Sequence, residues 1–443
     1  MLIATVLALL VLPSCGGERS AERPDRAKHP PATEPETVTV FYATDRAVLE
    51  PDTAAYLDKF FWAAVVFFGG LLVLCRLGRM IRRTYRGRLK VLWFVWAVAS
   101  VVLVAWGAYT ALDLHQDLER QKLLYGGERY MTRGAAGRAP TLDDVLQFGT
   151  CKVSIPPDRV IGEVKRPSFW KGDWFEDPMR HHVALDVERT EAQPFFDALK
   201  TVVATSDAKD AFVFVHGYNV SFEEAVIRTG QIKHDLEFDG PAIAYSWPSQ
   251  GQEGKYKIDE ANVGWSVAHL HRFLLELEAR LEADRIHLIA HSMGSRALSA
   301  ALLRIALERR GKPPLFNEVV FAAPDIDRDT FQQYIAPSIL GAGTRVTLYA
   351  SSRDEALDAS ELVHGSARAG DTAGGVVVVE GMDTIDVSNV SGSHSYIGNS
   401  GSVLGDLKAL LGSGRVLEEK PGFRQARFED RPYWILEFAP ADR

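Results

Sequence analysis

Cysteine is nearly absent from this chain. Cys15, Cys75 and Cys151 are the only three in 443 residues, and the first two fall in apolar N-terminal runs. That pattern excludes a disulfide framework. No His/Cys cluster has zinc spacing, no His-Glu-x-x-His occurs, and no glycine-rich phosphate loop follows a strand. Neither a metal nor an organic cofactor is therefore expected, and His181, His182, His269 and His271 read as surface or packing residues. Positive charge is also in short supply, with a net charge of −8. That balance argues against nucleic acid as a partner. Acidic residues are missing from residues 76–90, where Arg76, Arg79, Arg82, Arg83, Arg86, Arg88 and Lys90 crowd together.

Apolar residues, by contrast, make up 47% of the chain, and the longest runs lie near the N-terminus. Residues 1–15 read as a signal peptide ending in Leu12-Pro13-Ser14-Cys15. This resembles a bacterial lipoprotein signal with Cys15 as the lipidation site, the alternative being an uncleaved anchor. Residues 16–36 are polar and proline-rich, a flexible tether. Residues 37–46 alternate like a strand. Residues 60–75 and 91–112 are apolar, and the second run spans a hydrocarbon core of about 30 Å at about 1.5 Å per residue. The two form an expected transmembrane hairpin, an insertion over residues 55–113. Its basic loop lies on the cytoplasmic side by the positive-inside rule. The remainder is then expected outside the bacterial inner membrane, on the periplasmic face. Residues 114–144 read as a stalk or linker.

From residue 145 to 413 apolar strands alternate with helices. Short strands are expected at Cys151–Ile155, Gly162–Lys165 and His182–Val187. The β-α-β pattern follows, with strands at Ala211–Val215, Ala242–Tyr245, Ile286–Ala290, Glu318–Ala322, Arg345–Tyr349 and Met382–Val387. Such a pattern predicts an α/β fold with a mostly parallel sheet and helices on both faces. Functional groups in such sheets collect at the carboxyl ends of strands. Residues 414–443 read as a charged tail, with a strand-like stretch at Tyr433–Leu436.

One strand end carries a distinctive turn. Ile286–Ala290 is followed by His291-Ser292-Met293-Gly294 and then by a helical pattern. Strand, sharp turn and helix with serine at the apex match the Gly-x-Ser-x-Gly nucleophile elbow, here with Ala290 as the first small residue. A serine in that position also serves as a helix N-cap, so partners are needed. Acyl transfer by serine requires a base, an acid to orient it and donors for the oxyanion. His394, after the last strand, is the expected base, and His364 is its rival. Asp354 is the expected acid, with Asp325 and Asp327 as alternatives. The backbone N–H groups of Met293 and Tyr218 are the expected oxyanion donors, the second in the loop after His216-Gly217. Trp247, Tyr218 and Tyr256 are candidate pocket walls.

The segments Phe-Val-Phe-Val-His-Gly-Tyr-Asn-Val (212–220), Tyr-Ser-Trp-Pro-Ser-Gln-Gly (245–251), Asp-Glu-Ala-Asn (259–262), Ile-Ala-His-Ser-Met-Gly (289–294) and Ala-Ala-Pro-Asp-Ile-Asp (322–327) resemble a bacterial α/β-hydrolase family. Val-Phe-Tyr-Ala-Thr-Asp-Arg (40–46) resembles that family's opening strand. The family is esterase/lipase-like and largely of unassigned function. The resemblance implies the α/β-hydrolase fold and serine chemistry without fixing a substrate. The expectation is a membrane-anchored carboxylic ester hydrolase acting on a small-molecule or lipid ester. The alternatives are an idle fold serving as an envelope interaction module, or an acyltransferase with the same triad.

Overall fold

Strand Arg285–His291 is hydrogen-bonded on both sides and buried almost throughout, and the sheet is built outward from it. The computed structural model describes residues 34–48, 65, 67–74, 76, 79, 98–100, 107, 125–130, 141–168, 176–413 and 421–437. The expected signal with Cys15, the tether up to residue 33 and most of the hairpin lie outside these residues. Among the described residues, no helix is long and apolar enough to cross a membrane. The described parts of the hairpin are helical at 65, 67–74 and 98–100, and Phe68 and Leu72 are 61% and 62% exposed.

The strands are β1 (Glu36–Thr44), β2 (Arg46–Val48), β3 (Tyr125–Arg129), β4 (Gln147–Ile155), β5 (Ala184–Thr190), β6 (Asp210–Val215), β7 (Ala242–Ser246), β8 (Arg285–His291), β9 (Phe316–Ala322), β10 (Gly343–Ala350), β11 (Met382–Asp386), β12 (Phe423–Phe428) and β13 (Arg431–Leu436). Eleven of them form one sheet in the order β12-β13-β11-β10-β9-β8-β6-β7-β1-β4-β5. From β13 across to β1 each neighbouring pair is parallel, and the antiparallel pairs lie at the two edges. Strands β6 and β7 are apolar along nearly their whole length because both of their faces are covered by helices. One face packs against helices α1 (Ala192–Thr205), α3 (Tyr256–Leu281) and α4 (Gly294–Glu308). Helices α2 (Phe222–Asp235) and α6 (Gly401–Ser413) lie on the other, with α5 (Glu355–His364) between β10 and β11.

Three expectations need correction. Gly162–Lys165 is not a strand: Gly162 turns the chain at φ +83°, and Lys165 meets His182 by accepting its N–H and donating its own N–H to the imidazole Nδ1, not through a strand ladder. The expected stalk contains β3, which pairs antiparallel with β2. Tyr125 draws this segment in by burying its ring against Tyr42 and Phe222. The two ends of the expected insertion, residue 48 and residue 125, thus lie side by side in one ribbon. The expected tail is not separate either. It forms the β12-β13 hairpin, and β13 adds in parallel to β11 with Leu436 buried in the core.

Candidate active site

Because the parallel strands share one direction, the loops after β6, β7, β8, β9, β10 and β11 open on one edge of the sheet. The tightest of these is the β8–α4 turn. Ser292 sits at φ +51°, the left-handed region that side chains avoid. Its N–H donates to Ala322 O at 2.9 Å, and its own carbonyl accepts from the Asp325 N–H at 3.3 Å. The turn is thereby fastened to the end of β9. Gly294 has no room for a side chain, since a Cβ would stand 2.2 Å from His216 O and 2.7 Å from Val215 O. Gly217 is equally confined, its would-be Cβ lying 2.9 Å from Ser292 Cβ and 3.0 Å from His291 Nδ1. These two close approaches bring the loop after β6 against the serine. Ala290 stays buried inside β8, where its methyl packs in the core.

His394 and Asp354 meet at the same edge. His394 Nδ1 donates to the Asp354 carboxylate, with both oxygens at 2.7 Å. The Asp354 side chain is fully buried and also caps α5 by accepting the Leu357 N–H. The His394 carbonyl accepts from His291 Nε2 at 3.0 Å, and the two imidazoles lie 4.7 Å apart. His291 adjoins Ser292, so the base loop is tied to the elbow itself. Burial, reinforced by the nearby His394, pushes the His291 imidazole down to about 3, which keeps it neutral.

The rival residues are engaged elsewhere. Asp325 binds Tyr256 Oη, accepts from Ser360 Oγ at 2.6 Å and pairs with Arg296 at 3.1 Å. Asp327 accepts the Thr330 N–H at 2.8 Å as a helix cap. His364 lies against Glu260, 3.1 Å from its carboxylate, and packs on Tyr256. Together Tyr256, Glu260, Arg296, Asp325, Ser360 and His364 form a polar cluster beside the elbow. Tyr218 and Tyr256 face each other with ring centroids 5.2 Å apart. Trp247 is not a pocket wall. It is fully buried, stacks flat on His216 at 5.0 Å and 12°, and donates to His216 O at 2.7 Å.

Several residues shape the site without having been singled out as site residues in the sequence. Asp259 accepts the Ser249 hydroxyl at 2.6 Å and the N–H groups of Gln250 and Asn219, locking the loops after β6 and β7 together. Asn262 donates to Pro248 O and accepts from Arg129, which joins those loops to the β2-β3 ribbon. Tyr396, two residues beyond His394, donates to Tyr349 O and accepts the Ala323 N–H, both at 2.7 Å. The stretches 245–251 and 259–262, quoted for their resemblance, signalled this scaffold without revealing its geometry.

Residues 191–407 match the family model described as an alpha/beta hydrolase of unknown function, DUF900. Over that stretch the chain resembles this family, and its mostly parallel sheet is that of an α/β-hydrolase fold. No curated protein matches the chain. Among solved structures, the chain is similar to Est1E from Butyrivibrio proteoclasticus, with 12% identity, 46% of this chain and 86% of that one covered, and a TM-score of 0.28. An alpha-beta serine hydrolase homologue from Coxiella burnetii aligns at 16% identity over 46% of this chain and 82% of its own, with a TM-score of 0.27. A lipase-esterase related protein from Clostridium acetobutylicum shares 14% identity over 46% and 94% of the respective chains, with a TM-score of 0.26.

Proposed function

We propose that this α/β hydrolase is a membrane-anchored serine hydrolase that cleaves carboxylic esters outside the cytoplasm. The observation that carries the reading is the buried Asp354–His394 pair, tied through His291 to the turn that bears Ser292. In the proposed cycle Ser292 Oγ attacks the acyl carbon while His394 takes its proton. The charged imidazole is stabilised by Asp354, as in other triads. The carbonyl electrons move onto oxygen, facing the N–H groups of Met293 and Tyr218. Collapse of this intermediate breaks the ester C–O bond, and His394 returns its proton to the departing alcohol. Water then repeats the sequence on the acyl-enzyme and frees the acid and Ser292. No cofactor enters any step.

The membrane part of the proposal rests on sequence. Two apolar runs flank a loop whose charges are all basic, and the ribbon β2-β3 joins the two ends of the expected insertion. The exposed Phe68 and Leu72 support an apolar surrounding for this segment. A panel of acyl esters of graded chain length tests the catalytic part. The purified full-length protein is expected to hydrolyse some of them and to lose that activity in Ser292→Ala. Equal turnover by Ser292→Ala would refute it.

A further inference from the structure

Arg46 is the largest charged side chain fully enclosed in the domain, 1% exposed, and it follows β1 on the far side of the hairpin from every expected catalytic residue. A buried guanidinium is costly unless its donors are met. Here they are met by the loops of the site. Nε donates to Ser246 Oγ at 2.8 Å, and Nη1 to Ser249 O at 2.7 Å and Gly126 O at 3.1 Å. Nη2 donates to Val220 O at 2.7 Å and faces His216 Nε2 at 3.3 Å.

His216 passes this arrangement on. Its Nδ1 lies 2.9 Å from Gly217 O, and a carbonyl only accepts, so Nδ1 carries the proton. Nε2 is then the acceptor, as its neighbours require: Arg46 Nη2 at 3.3 Å and the Ser246 hydroxyl at 3.4 Å. Burial, with the Arg46 charge beside it, holds the imidazole well below its ordinary value and therefore neutral. Stacking on Trp247 fixes the ring plane. Gly217 O belongs to the same peptide unit as the Tyr218 N–H. That unit is planar and trans, so the two groups point in opposite directions. Pinning the carbonyl on His216 sets where the Tyr218 N–H points.

We propose that Arg46 and His216 are positioning residues: together they fix the plane of the Gly217–Tyr218 peptide and aim the Tyr218 N–H at the oxyanion formed beside Ser292. The inference rests on the serine hydrolase reading. Neither residue touches substrate. The loop is set before substrate arrives, which is what makes such a donor effective.

The test compares full-length wild type with His216→Phe and His216→Asn. Phenylalanine keeps a flat ring on Trp247 and removes the Nδ1 donor. Asparagine keeps an N–H near that position and loses the ring. Steady-state ester hydrolysis, affinity for a boronic acid transition-state analogue and Tm are read for each. His216→Phe is expected to lose roughly 10–100-fold in kcat with little change in KM, and analogue affinity falls by the same factor. His216→Asn is expected to keep more activity while melting lower. A purely structural role reverses that order, because phenylalanine preserves the packing. The relay is overturned if His216→Phe stays within about twofold of wild type, or if activity follows Tm across the two variants. Should His216→Phe not fold, Ser246→Ala removes one hydroxyl beside Nε2. A kcat loss of roughly threefold or more supports the relay, and an unchanged kcat overturns it. An inert wild type overturns the hydrolase reading and the relay with it, whereas an active wild type with unaffected variants overturns the relay alone.

Discussion

Asp354 holds His394 with both carboxylate oxygens 2.7 Å from Nδ1, whereas Asp325, after the neighbouring strand, is taken up by Arg296, Tyr256 and Ser360. The two aspartates therefore predict different kinetics. Asp354→Asn leaves the fold but spoils the orientation and charge stabilisation of His394. It is expected to lower kcat about 10³–10⁴-fold, as in other triads. Asp325→Asn is expected to cost less than about tenfold in kcat, since it does not touch the base, and to lower Tm through its buried partners. Steady-state kinetics with melting curves separate the two. Equal losses in kcat would contradict the assignment.

Ser292 is held at φ +51°, a backbone position that costs about 1–3 kcal/mol for a residue with a side chain. Glycine adopts it freely. Ser292→Gly and Ser292→Ala are both expected to be inactive. The glycine variant is expected to be the more stable by about 1 kcal/mol, because it releases that strain. Denaturant unfolding of the pair measures the difference.

Tyr396 bridges the ends of β9 and β10 with one hydroxyl, two residues from His394. Removing the hydroxyl leaves the Ala323 N–H and the Tyr349 carbonyl with their 3.1 Å bond to each other, so the bonds through the hydroxyl are what is lost. Tyr396→Phe is expected to cost about 0.5–1.5 kcal/mol of stability. It is also expected to reduce kcat more than KM, because the base loop loses its anchor. Thermal unfolding and kinetics on the same preparation check both effects.

The elements that alternate as buried strands and helices were legible because covered parallel strands read as unbroken apolar runs. The mostly parallel α/β sheet followed from that pattern, Ser292 and the loop at His216-Gly217 were singled out by turn chemistry, and the hydrolase fold came from the family resemblance of the quoted segments. Asp354 was already preferred to Asp325 in the sequence although both follow a strand, and the fold adds that its carboxylate is the one that reaches His394. Arg46 closed a quoted segment, but its contacts were invisible because they are long-range. Its partners His216, Ser246 and Ser249 are far away in sequence, and a lone arginine beyond a strand reads as surface. Strands β3 and β12 escaped because they are short, half-exposed and charged, which is how solvated linkers and tails read, and β13 showed only as the strand-like stretch Tyr433–Leu436.

A pH dependence follows from Asp235. Burial raises its carboxyl, but bonds from His234, Arg159, Gly162 and Gln231 outweigh burial and hold it down at about 2. A depressed acid stabilises the fold fully above its unfolded value of 3.8 and loses that contribution as pH falls through about 2. The size expected is about 2 kcal/mol. His234 is raised chiefly by the same carboxylate, so its contribution is present below 6.5 and fades as pH rises through its higher folded value. Asp235→Asn is expected to flatten both limbs of the stability–pH curve, measured by denaturant unfolding from pH 2 to 8.

The central claim is that Ser292 is a nucleophile activated by His394. Labelling the intact protein with a fluorophosphonate probe and locating the adduct by mass spectrometry tests it directly. The expected result is a single adduct on Ser292, absent from Ser292→Ala and strongly slowed in His394→Ala. An unlabelled wild type, in a sample where a known serine hydrolase is labelled, would contradict it.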